Sequence, residues 1–251
     1  MPSIPALRLY LMPALFLGPI LASAAQGVIS APIREFFAVG PTDEVVRKLV
    51  RSASPDGAVG FENLGPSSRQ PVSVLSPGPD IGAVLRAICE RDPRYKVVET
   101  GSADMVNILP ADGHARGHDV LEHRLPKFDL EADGWPYNLI TSLAGQSPDL
   151  HAYLSAVYFR AGGHDPAGGL QVSGLTGDVK PPHFSIHLDN PTVRDVLNSI
   201  SLQSIQAYRA ISPASTTGQK LVRPTGWEFD FSEPGDKPYL AWVSWLFRPL
   251  M

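Results

Sequence analysis

The sequence predicts an α+β fold of two tandem small modules. Each module is expected to be a mixed sheet with the order β-α-β-β-α-β-β and both helices on one sheet face. Residues 72–88 and 184–200 align without a gap, and each reads as a strand, a proline turn and an amphipathic helix. A strand and a helix precede each copy, and two apolar runs around a turn follow it. A fixed-distance repeat of this kind indicates duplication of one structural unit.

The two copies share five identical residues. The identical pairs are Ser73/Ser185, Pro79/Pro191, Val84/Val196, Leu85/Leu197 and Ile88/Ile200. In the first copy the apolar residues after the turn fall at i, i+3, i+4, i+7 and i+8, which is the stripe of an amphipathic helix.

The first module is predicted to span residues 35–110. A strand at 36–39 leads to a helix that begins at Thr42, because acidic residues in the next two positions favour a helix start. A second strand covers 58–64. The repeat copy then supplies the strand 71–75 and a helix that Pro93 ends. Apolar runs at 95–99 and 105–109 around a short turn predict a hairpin.

The second module is predicted to span residues 125–251, after a linker at 111–124. Its predicted elements are a strand at 125–130, a helix from Pro136, a second helix from Ser147, a short strand at 170–172, the repeat copy, a low-pattern insertion at 203–225 and a hairpin of 227–231 with 239–246. Thr192 and Asp195 are spaced as a capping box for the repeated helix. The strict alternation at 227–231 predicts one buried and one solvent-exposed face.

The N-terminus is predicted to be a signal peptide of residues 1–25. The apolar run 9–21 is followed by Ala22, Ser23 and Ala24, small residues that suit signal peptidase. The run is shorter than the roughly 20 residues that a membrane-spanning helix needs. We therefore expect a periplasmic or secreted protein without a stable membrane span after cleavage. An apolar start to the folded core is the alternative.

Composition narrows the classes of partner. The formal net charge of −4 provides no basic footprint, so nucleic acid is not an expected partner. Cys89 is the only cysteine, which excludes an internal disulfide. Its place on the apolar face of the repeated helix predicts a small packed residue and not a reactive thiol.

The order of elements around the repeat resembles the short N-terminal domain of secretins and TonB-dependent receptors. The matching stretches are Val72–Ile88 with the hairpin at 95–109, and Phe184–Ile200 with the hairpin at 227–246. Val84-Leu85 and Val196-Leu197 stand where that family has an Ala-Leu helix signature. The family domain is an interaction module without catalytic residues. The resemblance therefore implies a duplicated protein-binding module in an exported bacterial protein, with no enzymatic activity and no cofactor.

Four aromatic residues mark a candidate binding surface. Trp227, Tyr239, Trp242 and Trp245 crowd the C-terminal hairpin, where an exposed set could contact another envelope protein. Packing of these rings in the core is the alternative interpretation. Trp242 and Trp245 have opposite parity on a strand, so both cannot lie on one face without a bulge.

A metal-dependent hydrolase is the second functional hypothesis. His114, His118 and His123 lie among acidic residues at 112–123, and a further His-Asp pair occurs at 163–165. These are residue types that bind metal ions, although Gly113 and Gly117 favour a solvated linker. His183 and His187 are predicted to share one strand face about 13 Å apart, too far for both to chelate one ion.

Overall fold

The computed structural model describes residues 32–33, 35–52, 57–65, 71–75, 80–112, 118–134, 148, 183–209, 222–232 and 240–249. The elements in chain order are β1 (Phe37–Gly40), α1 (Thr42–Ser52), β2 (Ala58–Asn63), β3 (Val72–Leu75), α2 (Ile81–Arg91), β4 (Tyr95–Glu99), β5 (Met105–Pro110), α3 (His118–Leu121), β6 (Lys127–Asp133), β7 (His183–Asp189), α4 (Val193–Arg209), β8 (Val222–Ser232) and β9 (Leu240–Pro249). The predicted α+β class is confirmed. Residues up to 112 are called the first half below, and those from 118 the second half.

Three helices, α1, α2 and α4, begin where the sequence predicts them. Thr42 starts α1. Asp80 caps α2, and its Oδ1 accepts a 2.7 Å hydrogen bond from the Ala83 amide. The predicted capping box precedes α4: the Thr192 amide donates to the Asp195 carboxylate at 2.8 Å, and the Asp195 amide donates to the Thr192 hydroxyl at 3.1 Å.

The aligned repeat positions occupy the same environments in both halves. Val84, Leu85 and Ile88 of α2 are fully buried, as are Val196, Leu197 and Ile200 of α4. The strands behave alike, because β3 pairs antiparallel with β1 and β7 pairs antiparallel with β6. Each half therefore contains one two-stranded ribbon followed by a packed helix.

The largest sheet is shared between the halves, which differs from the predicted sheet for each module. Its strand order is β4-β5-β2-β8-β9. β2 runs parallel to β5 on one side and to β8 on the other, while the outer pairs are antiparallel. All six residues of β2 are buried. A strand without an exposed face suits the centre of a sheet, so the second hairpin joins the first half's strands.

A hydrophobic core lies on each face of the shared sheet. Val59 and Phe61 of β2 belong to the first core, with α1, α2 and the β1–β3 ribbon. Ala58, Trp227 and Phe229 belong to the second core, with α4 and the β6–β7 ribbon. Both helices of the first half, α1 and α2, therefore pack on one face of the shared sheet, as the sequence predicts, and α4 packs on the opposite face.

Two buried carboxylates link the halves reciprocally. Glu228 of β8 accepts two 2.7 Å hydrogen bonds from Arg47 of α1, and Asn63 donates to it at 3.0 Å. Glu62 of β2 is met from the opposite half by Arg194 of α4, at 3.3 Å. Each half therefore supplies a carboxylate to the sheet and an arginine to the other half's carboxylate.

Three predictions about the second half are changed by the structure. The insertion at 203–225 is partly regular, since α4 continues to Arg209 and β8 begins at Val222. The strand at 227–231 was predicted to have one exposed face. Burial is known for residues 226–229, and all four are buried. The side that carries Glu228 is covered by α1, whose Arg47 contacts the Glu228 carboxylate. The predicted linker contains α3, whose Val120 and Leu121 pack in the second core.

Several predicted elements lie outside the described residues. These are the signal peptide, the helices from Pro136 and Ser147 apart from position 148, and the strand at 170–172. Among the residues that the structure describes, no helix has the length and apolar character needed to cross a bilayer.

Candidate binding surfaces

The outer face of the β1–β3 ribbon is apolar and exposed. Phe37 and Val39 of β1 are each 56% exposed, and Leu75 of β3 is 74% exposed. Phe37 lies directly opposite Leu75 in the ribbon. Among the residues whose burial is known, these three are the only large hydrophobic side chains that are exposed. Contiguous exposed apolar surface on a folded protein is typical of a binding site.

The apolar outer face is not required by the core. Ala38, Val72 and Val74 alternate with the exposed positions and are buried against the helices. Lys48 of α1 places its ammonium nitrogen 5.9 Å from the centre of the Phe37 ring. The ribbon therefore buries one apolar face and presents a second one to solvent.

Within the described ranges, the β1–β3 ribbon has strand edges that no other strand pairs with. In the described residues β1 and β3 pair only with each other, so each leaves one row of amide and carbonyl groups without a sheet partner. Neither strand contains a charged residue or a proline. Edge strands usually carry such residues to prevent pairing with other chains, as β4 does with Lys96 and Glu99.

The outer face of the β6–β7 ribbon has the opposite chemistry. Three carboxylates on β6 and two imidazoles on β7 form what we call the His–carboxylate ladder: Asp129, Glu131, Asp133, His183 and His187. His183 contacts Asp133 through Nδ1 and Glu131 through Nε2, both at 2.7 Å. His187 contacts Asp129 through Nδ1 at 3.0 Å and Glu131 through Nε2 at 3.4 Å. Glu131 therefore lies between two imidazoles.

The ladder changes the acidity of its members. Hydrogen bonds to Glu131 and then Asp133 raise the pKa of His183 above its usual value. The hydrogen bond from His183 lowers the pKa of Glu131, and hydrogen bonds from Lys127 and His187 lower the pKa of Asp129. All these groups are exposed to solvent, so the shifts reflect close pairing and not burial.

The two ribbons are equivalent in register, which makes their outer faces comparable position by position. Phe37 pairs with Leu75 in the first ribbon, and Asp129 pairs with His187 in the second. Leu75 and His187 are also aligned in the sequence repeat. The same backbone therefore presents an apolar surface in one half and a charged one in the other.

The predicted aromatic surface is wrong for Trp227. This side chain is fully buried in the second core, and its Nε1 donates a 2.8 Å hydrogen bond to Asn198. The core-packing alternative holds at this position. The backbone of Trp245 pairs with Trp227 and that of Trp242 with Asp230, while Tyr239 lies outside the described residues.

The residues of the metal hypothesis are not brought together in the described part of the chain. His114 and the pair at 163–165 lie outside it. His118 begins α3, and the backbone carbonyl of His123 accepts a 3.0 Å hydrogen bond from the Val193 amide. Within the described ranges, no three His, Cys, Asp or Glu side chains are placed to hold a metal ion.

Cys89 is partly buried against the first core. The pKa of its thiol is raised to about 12, mainly by burial and to a smaller extent by the nearby negative charges of Asp92 and Glu90. A thiol with so high a pKa has little thiolate at neutral pH and is a poor nucleophile.

Comparison of the chain with protein-family models, with curated proteins and with solved structures finds no match. Candidate residues must therefore be inferred from geometry alone. Sequence reasoning missed Phe37, Val39 and Leu75 as a surface and dismissed His183 and His187. The available signal was the lack of charge in β1 and β3, together with the alternation of charged residues in β6 and β7.

Proposed function

We propose that this chain is an exported, non-enzymatic protein-interaction module of the bacterial envelope. It binds an extended segment of another envelope protein by strand addition at the edge of the β1–β3 ribbon. The observation that carries the proposal is the exposed apolar face of Phe37, Val39 and Leu75 on an uncharged two-stranded ribbon. The signal-like N-terminus and the resemblance to the short N-terminal domain of secretins and TonB-dependent receptors support it.

Strand addition uses both properties of this ribbon. Main-chain amides and carbonyls of the free edge hydrogen-bond to the incoming segment and supply affinity, while side chains on alternate positions supply specificity. Since the exposed side chains of β1 are Phe37 and Val39, the preferred segment carries apolar residues at every second position. The β6–β7 ribbon is a poor acceptor for such a segment because its outer face is charged.

Capture from envelope extract with the mature chain as bait tests the proposal. The variant carries Phe37→Asp and Leu75→Asp, which introduce two carboxylates at exposed positions without touching the core. The matched control carries Lys127→Ala and Asp189→Ala, which remove an exposed pair from the β6–β7 ribbon. We expect the wild type and the control to recover the same partner, and the Asp variant to recover less than a tenth as much.

Circular dichroism should show the same helix and strand content for all three proteins. Equal recovery of the partner by the Asp variant contradicts the proposed surface. Reproducible absence of any partner for the wild type, across extracts and salt concentrations, contradicts the proposed function.

A further inference from the structure

We propose that the incoming segment pairs with the outer edge of β3, and that Arg91 at the end of α2 selects a segment with an acidic residue beside that edge. This inference rests on the proposed strand addition, and it names the edge and the chemistry of the partner. It comes from a difference between the two halves at one aligned position. In the second half that position is Gln203, whose side chain closes the corresponding edge of β7.

Gln203 of α4 occupies both main-chain hydrogen-bonding groups of Ser185 in β7. The Ser185 amide donates a 3.0 Å hydrogen bond to the side-chain oxygen of Gln203, and the side-chain nitrogen of Gln203 donates to the Ser185 carbonyl. These groups therefore point away from β6, the strand that β7 pairs with. A side-chain amide has the donor and the acceptor of a peptide group. Gln203 thus takes the place of a further strand, which protects this edge from pairing with another chain.

The first half has an arginine at the aligned position. The ungapped alignment that pairs Ser73 with Ser185 continues along α2 and pairs Arg91 with Gln203. The strands β3 and β7 alternate buried and exposed residues in the same phase, and α2 contacts β3 as α4 contacts β7. An arginine side chain has five N–H donors and no acceptor. Arg91 therefore cannot accept a hydrogen bond from the Ser73 amide, and it cannot close the edge of β3 as Gln203 closes that of β7.

Arg91 also brings a positive charge to this edge. Its side chain is exposed, and the adjacent Asp92 is already hydrogen-bonded to Arg94. In an added strand, the residue opposite Ser73 faces outward beside Leu75, and the residues on either side of it face α2. A carboxylate at one of these inward positions would lie beside Arg91. The preferred segment therefore alternates apolar residues with acidic ones.

Two fluorescein-labelled octapeptides test the inference by fluorescence anisotropy with the mature chain. One peptide alternates valine with glutamate, and the other alternates valine with lysine. At low salt we expect the valine–glutamate peptide to bind at least about fivefold more tightly, because attraction to Arg91 replaces repulsion. The formal net charge of −4 favours the lysine peptide in general, so the opposite preference requires a local cation.

Three variants separate the charge of Arg91 from the open edge. Arg91→Ala removes the charge and leaves the edge open, so it should bind both peptides without preferring the valine–glutamate one. Arg91→Gln introduces the residue of the second half and should close the edge, which reduces the affinity for both peptides to less than about a tenth. Glu90→Gln changes a charge at the adjacent exposed position. It is the matched control and should keep the preference of the wild type.

The inference is overturned if the wild type binds both peptides equally, if it binds neither, or if Arg91→Gln binds like the wild type. Equal binding of both peptides that is lost in the variant with Phe37→Asp and Leu75→Asp would retain the β1–β3 surface and remove the role of Arg91. Wild-type affinity of Arg91→Gln, with the same loss, would place the added strand at β1. Binding of neither peptide while a partner is still captured from envelope extract would leave the proposed function standing without this edge. Failure of the inference and failure of the proposed function are therefore distinguishable.

Discussion

At the scale of single residues, the shared sheet contains two buried carboxylates that each pair with an arginine of the other half. Glu228 and Glu62 are almost completely removed from solvent, and arginines from α1 and α4 meet them from opposite halves. A buried ion pair adds little stability over an apolar pair, but loss of one partner is costly because it strands a charge in the interior. We infer that these residues favour the observed way of joining the halves over others.

Arg47→Ala is expected to destabilise the protein by about 3 kcal/mol, the lower end of the range for breaking a buried pair. The lower end applies because the Arg47 side chain is itself about a third exposed. The midpoint of urea unfolding measures the effect. Arg51→Ala on the exposed side of the same helix is the control and should change stability by less than about 0.5 kcal/mol. Equal effects of the two variants would contradict a specific role for the pair.

Asp92 is expected to contribute to acid sensitivity. Burial opposes its ionisation, but hydrogen bonds from Arg94 and Thr42 outweigh burial and lower the pKa of its carboxyl. A lowered folded-state pKa stabilises the fold above the unfolded value near 3.9, and this stabilisation is lost as the pH falls through the folded-state pKa. Asp92→Asn should therefore be less stable than the wild type at neutral pH. The gap should close below about pH 4 in a series of urea titrations.

At the scale of elements, local pattern predicted most of what was found and missed what depends on distant partners. The starts of α1, α2 and α4 and the positions of β4 and β5 were predicted within one or two residues, because apolar periodicity and capping residues are local signals. The buried second face of β8 was missed, since Glu228 looks solvent-exposed until Arg47 is known to cover it. The outer surfaces were missed because alternation identifies two strand faces but does not say which face is covered.

The close approach of β2 to β8 gives a test at the level of the sheet. A Cβ atom at Gly60 would lie 2.6 Å from the Trp227 ring and 2.2 Å from Asn107 Oδ1. Gly60→Ala is therefore expected to cost about 1–3 kcal/mol through overpacking. Gly101→Ala is the matched control, because nothing lies within 4 Å of its added carbon. Thermal unfolding of the two variants separates them, and equal melting temperatures would argue against the tight packing of Trp227 over β2.

At the scale of the whole molecule, the two halves share strands and cannot be separated without opening the central sheet. β2 pairs with β8 across a long stretch of chain, and the residues on its two faces belong to different cores. Sequence patterns predicted two modules because each half repeats the same local order. The pairing between β2 and β8 could not be predicted from these patterns. The hydrophobic periodicity of a strand shows which of its faces are buried, but it does not identify the distant strand that pairs with it.

The shared sheet predicts that both halves unfold in one cooperative transition. The four tryptophans all follow residue 134, so their fluorescence reports on the second half, whereas Cys89 is the single thiol and lies in the first half. Native Cys89 is protected by burial and by a pKa of about 12. It should react with a thiol reagent only on unfolding, when the pKa returns to about 8.5. Over a urea series the two probes should share one unfolding midpoint, and Arg47→Ala should lower the midpoint of both probes by the same amount.

Reaction of Cys89 at urea concentrations that leave tryptophan fluorescence unchanged would show that the first half opens alone. In that case the reciprocal carboxylate–arginine contacts would not couple the halves.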